Sequence, residues 1–149
     1  MMKKYIGLLL MVVAVVMSAS LSSCGSSDAD KKVEAFTNLL SSEDFKTSVM
    51  ETGLYTDCEV STADDGKVLQ VTLHGVPGLR FDNSFKFLVD EQHQNMVTLF
   101  QTAVSTDKIV KEGFEGMKDK DMTFRVRLLD VDGGTIDADI TPEEVLPAK

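Results

Sequence analysis

The chain has no tryptophan, two tyrosines, two cysteines, two histidines and three prolines. So few large aromatics argue against a sugar-stacking platform and against an interface anchored on Trp and Tyr. Two cysteines cannot build a disulfide framework, and no His/Cys spacing matches a metal motif. Positive charge is also scarce, with 15 Lys and Arg against 24 Asp and Glu, a net charge of −9. That balance excludes nucleic acid, whose phosphates call for basic patches. The apolar run from Ile6 to Met17 falls well short of the roughly 20 residues that cross a bilayer as a helix. No Ser-His-Asp order, nucleophile elbow or phosphate-cradling glycine loop is present. No catalytic residue, metal or cofactor is therefore expected.

What is there begins at the N-terminus. Lys3 and Lys4 precede the apolar run, and Leu21-Ser22-Ser23-Cys24 closes it with small residues around a cysteine. This order resembles the signal peptide and lipobox of bacterial lipoproteins. The resemblance implies removal of residues 1–23 and attachment of a diacylglyceryl group to the Cys24 thiol. The anchor would then be lipid, since two or more acyl chains hold a protein stably at a membrane. It also implies the outer membrane, because in two-membrane bacteria an Asp directly after the cysteine favours retention in the inner one, and Gly25 stands there. Taken whole, the chain resembles the small envelope lipoproteins of gut-dwelling bacteria, including the Bacteroidetes.

Removing residues 1–23 leaves 126 residues, enough for one domain with a sizeable core. Only Lys3 and Lys4 go with them, so the net charge falls from −9 to −11. The stretch after Cys24 is small and polar, and residues 24–30 read as a flexible tether. Cys58 is left without an intramolecular partner and is expected as a small hydrophobe on a core-facing strand.

Residues 31–141 read as one α+β domain with an internal repeat, 31–74 and 95–141. Val33, Phe36, Leu40 and Phe45 match Val97, Phe100, Val104 and Ile109 at an offset of 64. Each copy shows a helix with apolar residues at three- and four-residue spacing, then a Ser/Thr pair and an acid that stop it and cap a second helix. Those second helices are expected over Glu43–Glu51 and Asp107–Met117, with Gly53 and Gly116 near their ends. A hairpin follows in each copy, because Asp-Gly between alternating apolar runs supplies the positive φ of a tight turn. Tyr55–Thr62 turns at Asp64-Asp65-Gly66 into Lys67–His74. Met122–Leu129 turns at Asp132-Gly133-Gly134 into Thr135–Ile140.

Between the copies Asp82 opens a helical pattern with Phe85, Leu88, Val89, Met96, Leu99, Phe100 and Ala103 on one face. Unbroken to Val104, it would have about 22 residues and span about 33 Å. Residues 142–149 read as a tail. The acids from Asp130 to Asp139 suggest a calcium loop, but Thr135 stands where an EF-hand requires glycine, so a hairpin turn is expected. Glu143 and Glu144 could join those acids only as a weak ion-binding surface. Phe81, Phe87 and Phe114 are expected in the core.

The expected fold is a four-stranded antiparallel sheet with helices on one face. In outline it is similar to secreted enzyme inhibitors and cystatin-like domains, without an inhibitory loop motif. The open face should carry Arg125, Arg127, Asp137 and Asp139, with Glu59 and Gln70. Arg125 and Arg127 are the candidate binding residues, reversible to Glu with little effect on stability. The functional expectation is a non-catalytic module that binds an envelope or extracellular protein. The alternatives are a structural or stress-related envelope component and an enzyme using surface carboxylates.

Overall fold

The computed structural model describes residues 29–147. The expected signal segment, Cys24 and most of the expected tether lie outside them. The domain is α+β. Helices α1 (Ala29–Leu40) and α2 (Glu43–Glu51) lead into strands β1 (Tyr55–Ala63) and β2 (Val68–Gly75). Helices α3 (Asn83–Glu91), α4 (His93–Thr106) and α5 (Lys108–Asp119) follow, then β3 (Thr123–Leu129), β4 (Thr135–Ile140) and a short α6 (Pro142–Val145). Among the described residues no helix is long and apolar enough to cross a membrane.

Both hairpins form where the Asp-Gly turns place them. Asp64, Asp65 and Gly66 have positive φ in succession, with Gly66 N–H donating to the Ala63 carbonyl across 3.1 Å. In the second hairpin Val126 pairs with Ala138 and Leu128 with Ile136. The strands lie in the order β1-β2-β3-β4 in one sheet.

Its central pair differs from the expectation: β2 and β3 run parallel, so the sheet is mixed. Parallel neighbours require a long crossover. Residues 76–122, with three helices, return the chain to the end of the sheet where β2 began. The order also limits the repeat. With helices on one face and strands ordered 1-2-3-4 around a parallel centre, no rotation superposes the first hairpin on the second. The repeat is one of pattern, not of architecture.

Alternation sorts the two faces. Leu69, Val71, Leu73, Phe124, Val126, Leu128, Ile136, Ala138 and Ile140 point into one core with the helices. At its centre Phe36, Phe100, Phe114 and Phe124 bring α1, α4, α5 and β3 together, with ring centroids 5.3 to 5.9 Å apart. Phe81 and Phe114 are core residues as expected, whereas Phe87 is 63% exposed.

The helix ends follow the sequence with one slip. Ser42 caps α2, its hydroxyl accepting from Phe45 N–H. In the second copy the cap is Asp107, whose Oδ1 accepts from Ile109 and Val110 N–H at 2.8 and 3.2 Å. Phe45 is therefore matched in the core by Val110, one place later than the 64-residue offset gives. Asp82 caps α3 as expected. Gly116 lies in the last turn of α5, near its end as expected, where an added Cβ would meet the Ala29 carbonyl oxygen at 2.8 Å.

Three expectations are corrected. The long helix is broken at Gln92 (φ −93°, ψ 6°), and the bend lets α3 reach β4 while α4 packs on α5 and α6. Ala29 and Asp30, expected in the tether, belong to α1. The closing segment is more than a tail: Pro142 starts α6, the Thr141 hydroxyl and Glu144 carboxylate form a capping box, and Pro142 and Val145 are buried.

Candidate functional site: the open face of the sheet

The face away from the helices is organised in two cross-strand rows. Ser61, Gln70, Arg125 and Asp139 form one; Glu59, Thr72, Arg127 and Asp137 form the other. All six residues expected on this face are on it. Period-two alternation put them there, and the register aligned them.

Both arginines are committed to aspartates. Arg125 donates from Nε and Nη2 to the Asp139 carboxylate at 2.8 and 3.2 Å. Arg127 donates likewise to Asp137 at 2.7 and 2.9 Å. Such forked pairs are the strongest of the charge-assisted hydrogen bonds. The Arg127 fork, against an opposing effect of burial, holds the Asp137 carboxyl below the usual carboxylate range. Arg125 also lies 3.9 Å from Asp137 and 3.8 Å from Asp64, and its side chain is only 16% exposed. It is a partly buried hub, not a free surface charge.

Between the rows the central strand is covered. Gln70 and Thr72 are both buried, and Gln70 Nε2 donates to Thr72 Oγ1 at 3.0 Å. Gln70 Oε1 is shut off from solvent with no hydrogen-bond partner among the described residues. Buried acceptors are seldom left unpaired, at a cost of about 1–3 kcal/mol.

At the open end of β1 and β2, Asp57 faces His74 in the ladder and Glu59 lies two residues along the same face. His74 Nε2 is 3.5 Å from Glu59 Oε1. Asp57 Oδ1 accepts from the Cys58 N–H at 2.8 Å and lies 3.0 Å from Lys46 Nζ of α2. The Lys46 hydrogen bond, with that of the Cys58 N–H, holds the Asp57 carboxyl low. The sequence reading missed this grouping. Fifteen or more residues separate His74 from its two carboxylates, and only the cross-strand register brings them together.

Cys58 itself points inward and is buried, as expected. Burial first, then the neighbouring Asp57 charge, pushes its thiol up to about 12, so it is no thiolate nucleophile.

The other candidates have structural roles. Asp130 Oδ1 accepts from Asp132 and Gly134 N–H, which is hairpin geometry. Glu144 is tied to Thr141 and, at 3.0 Å, to His93 Nε2. Burial pulls the Glu144 carboxyl up, but hydrogen bonds from His93 and Thr141 outweigh it and hold it low.

No family model, curated protein or solved structure matches the chain. Its function must be argued from its own residues.

Proposed function

We propose that the protein is a lipid-anchored lipoprotein of the bacterial envelope, in the outer membrane, whose domain binds another protein through the open face of its sheet and does not catalyse a reaction. The lipobox at Cys24 supports the anchor. Helix α1 starts only five residues after it, a stretch that spans about 18 Å at most when fully extended. The domain is thus held close to the lipid.

Gln70 Oε1 carries the binding reading. It is an unpaired acceptor at the centre of a face whose charges are already fixed by cross-strand forks. A donor from a docking protein would satisfy it once a side-chain rotation on docking uncovers Oε1, and the paired forks would frame that contact with little entropy left to lose. The self-pairing of those charges also favours a second reading, a structural envelope component that presents a solvated face and no ligand.

Two experiments test this. Mass spectrometry of membrane-extracted protein should find residues 1–23 absent and Cys24 acylated; an intact N-terminus overturns the anchor. A photo-crosslinker placed in living cells at Ser61, beside Gln70, should trap a discrete product that the same probe at Lys86, on the helical side, does not. Gln70→Met should remove that product without lowering the melting temperature. Equal trapping at both positions favours the structural reading.

A further inference from the structure

Asp57, Glu59 and His74 form a side-chain cluster that the docking proposal does not use. One ligand atom from each, a carboxylate oxygen from the acids and a ring nitrogen from His74, lies within 4.8 Å of the others. We propose that these three residues bind one divalent transition-metal ion of the zinc type.

Two ligands on tetrahedral zinc, each bonded at 2.0–2.1 Å, stand about 3.3 Å apart. His74 Nε2 and Glu59 Oε1 are 3.5 Å apart. They hold this separation without a hydrogen bond between them, and Nε2 is sequestered from solvent with no hydrogen-bond partner among the described residues. A buried ring nitrogen facing two carboxylates is an arrangement that a cation between them completes. Asp57 offers a carboxylate oxygen within 4.8 Å of the other two ligand atoms, and all three residues sit on paired strands.

One imidazole nitrogen with two carboxylate oxygens suits zinc and its neighbours, whereas calcium and magnesium take all-oxygen shells. Two carboxylates balance the charge of a divalent ion. Asp57 also has the outer support common to metal ligands, since the Cys58 N–H holds its Oδ1, fixing its orientation. Lys46, 3.0 Å from the same oxygen, is the cation that the metal must displace, and it can swing away because it is 41% exposed. Three protein ligands leave a fourth position for water, on the side where Glu59 is 63% exposed.

The test is zinc binding to the purified full chain in detergent, by equilibrium dialysis with metal analysis. One zinc per chain is expected, not displaced by a large excess of Ca²⁺ or Mg²⁺. Glu59→Gln and His74→Gln should each weaken it by at least about tenfold, the loss that outer-shell changes alone already cause. Zinc should shift the amide resonances of residues 57–59 and 72–75 and leave the turn at 130–134 unmoved. Should His74→Gln fail to fold, Glu59→Gln at its exposed position decides. Absence of stoichiometric binding, displacement by Ca²⁺, or binding that survives Glu59→Gln undiminished would overturn the site.

Discussion

Asp130, at the end of the second hairpin's outgoing strand, accepts a hydrogen bond on Oδ2 from the Phe81 N–H, 2.9 Å away and 49 positions earlier in the chain. Its other oxygen gathers the Asp132 and Gly134 N–H groups. Phe81 in turn packs edge-on against Phe85 of α3, with centroids 5.0 Å apart. One carboxylate thus shapes the β3–β4 turn and fastens the entry to α3 beside it. The Phe81 and Gly134 amides, in that order, hold its carboxyl below the ordinary value of 3.8.

Asp130→Ala should lower the melting temperature at neutral pH, as thermal unfolding would show. Because the folded carboxyl titrates low, this contribution is complete above the ordinary carboxylate pKa near 3.8 and fades as pH falls through the lower folded value. The gap between wild type and variant should therefore close on acidification. A gap independent of pH would assign the loss to packing.

Gly113 lies where α5 crosses α1, and a Cβ there would sit 2.6 Å from Phe36 Cβ and Cγ. Alanine would gain about 1 kcal/mol in helix propensity, while overpacking costs about 1–3 kcal/mol. Steric cost wins because Phe36 is itself locked in the four-ring cluster. Urea unfolding of Gly113→Ala should show a net loss of stability, against the usual gain of this substitution in a helix.

Phe124→Ala removes the ring that meets Phe36, Phe100 and Phe114. It should cost about 3–5 kcal/mol in denaturant unfolding. Phe87→Ala, at an exposed position of α3, should stay within about 0.5 kcal/mol of wild type.

The arginine forks make a different forecast from the one the sequence suggests. Arg125→Glu would set a carboxylate beside Asp137, Asp139 and Asp64 and should destabilise the domain at low salt. A double-mutant cycle on Arg127 and Asp137 should give a coupling of about 0.2–1 kcal/mol, small because both side chains are about a third exposed and partly screened. Raising the salt concentration should shrink the coupling further.

Much of the fold is legible locally. The Asp-Gly turns fix both hairpins because only a few residue types accept positive φ at low cost, and strict alternation in Met122–Leu129 assigns Arg125 and Arg127 to the polar face before any coordinate is known. Cap residues mark α2, α3 and α5 because their side chains answer nearby N–H groups. The helical stretch between the hairpins is also visible in the spacing of its apolar residues.

What the sequence could not decide depends on contacts between distant segments. The direction of β2 against β3 follows from where the α3–α5 crossover returns the chain, and the break at Gln92 from the need of α3 and α4 to reach different surfaces. Arg125 is a partly buried hub, not a free charge, because Asp64, Asp137 and Asp139 converge on it from one turn and a neighbouring strand. Asp57, Glu59 and His74 meet only through the β1–β2 register. Periodicity and caps are properties of a few neighbouring residues, so sequence alone determined them. Strand order, burial of polar groups and the grouping of ligands depend on which surfaces pack together, and only tertiary structure decided them.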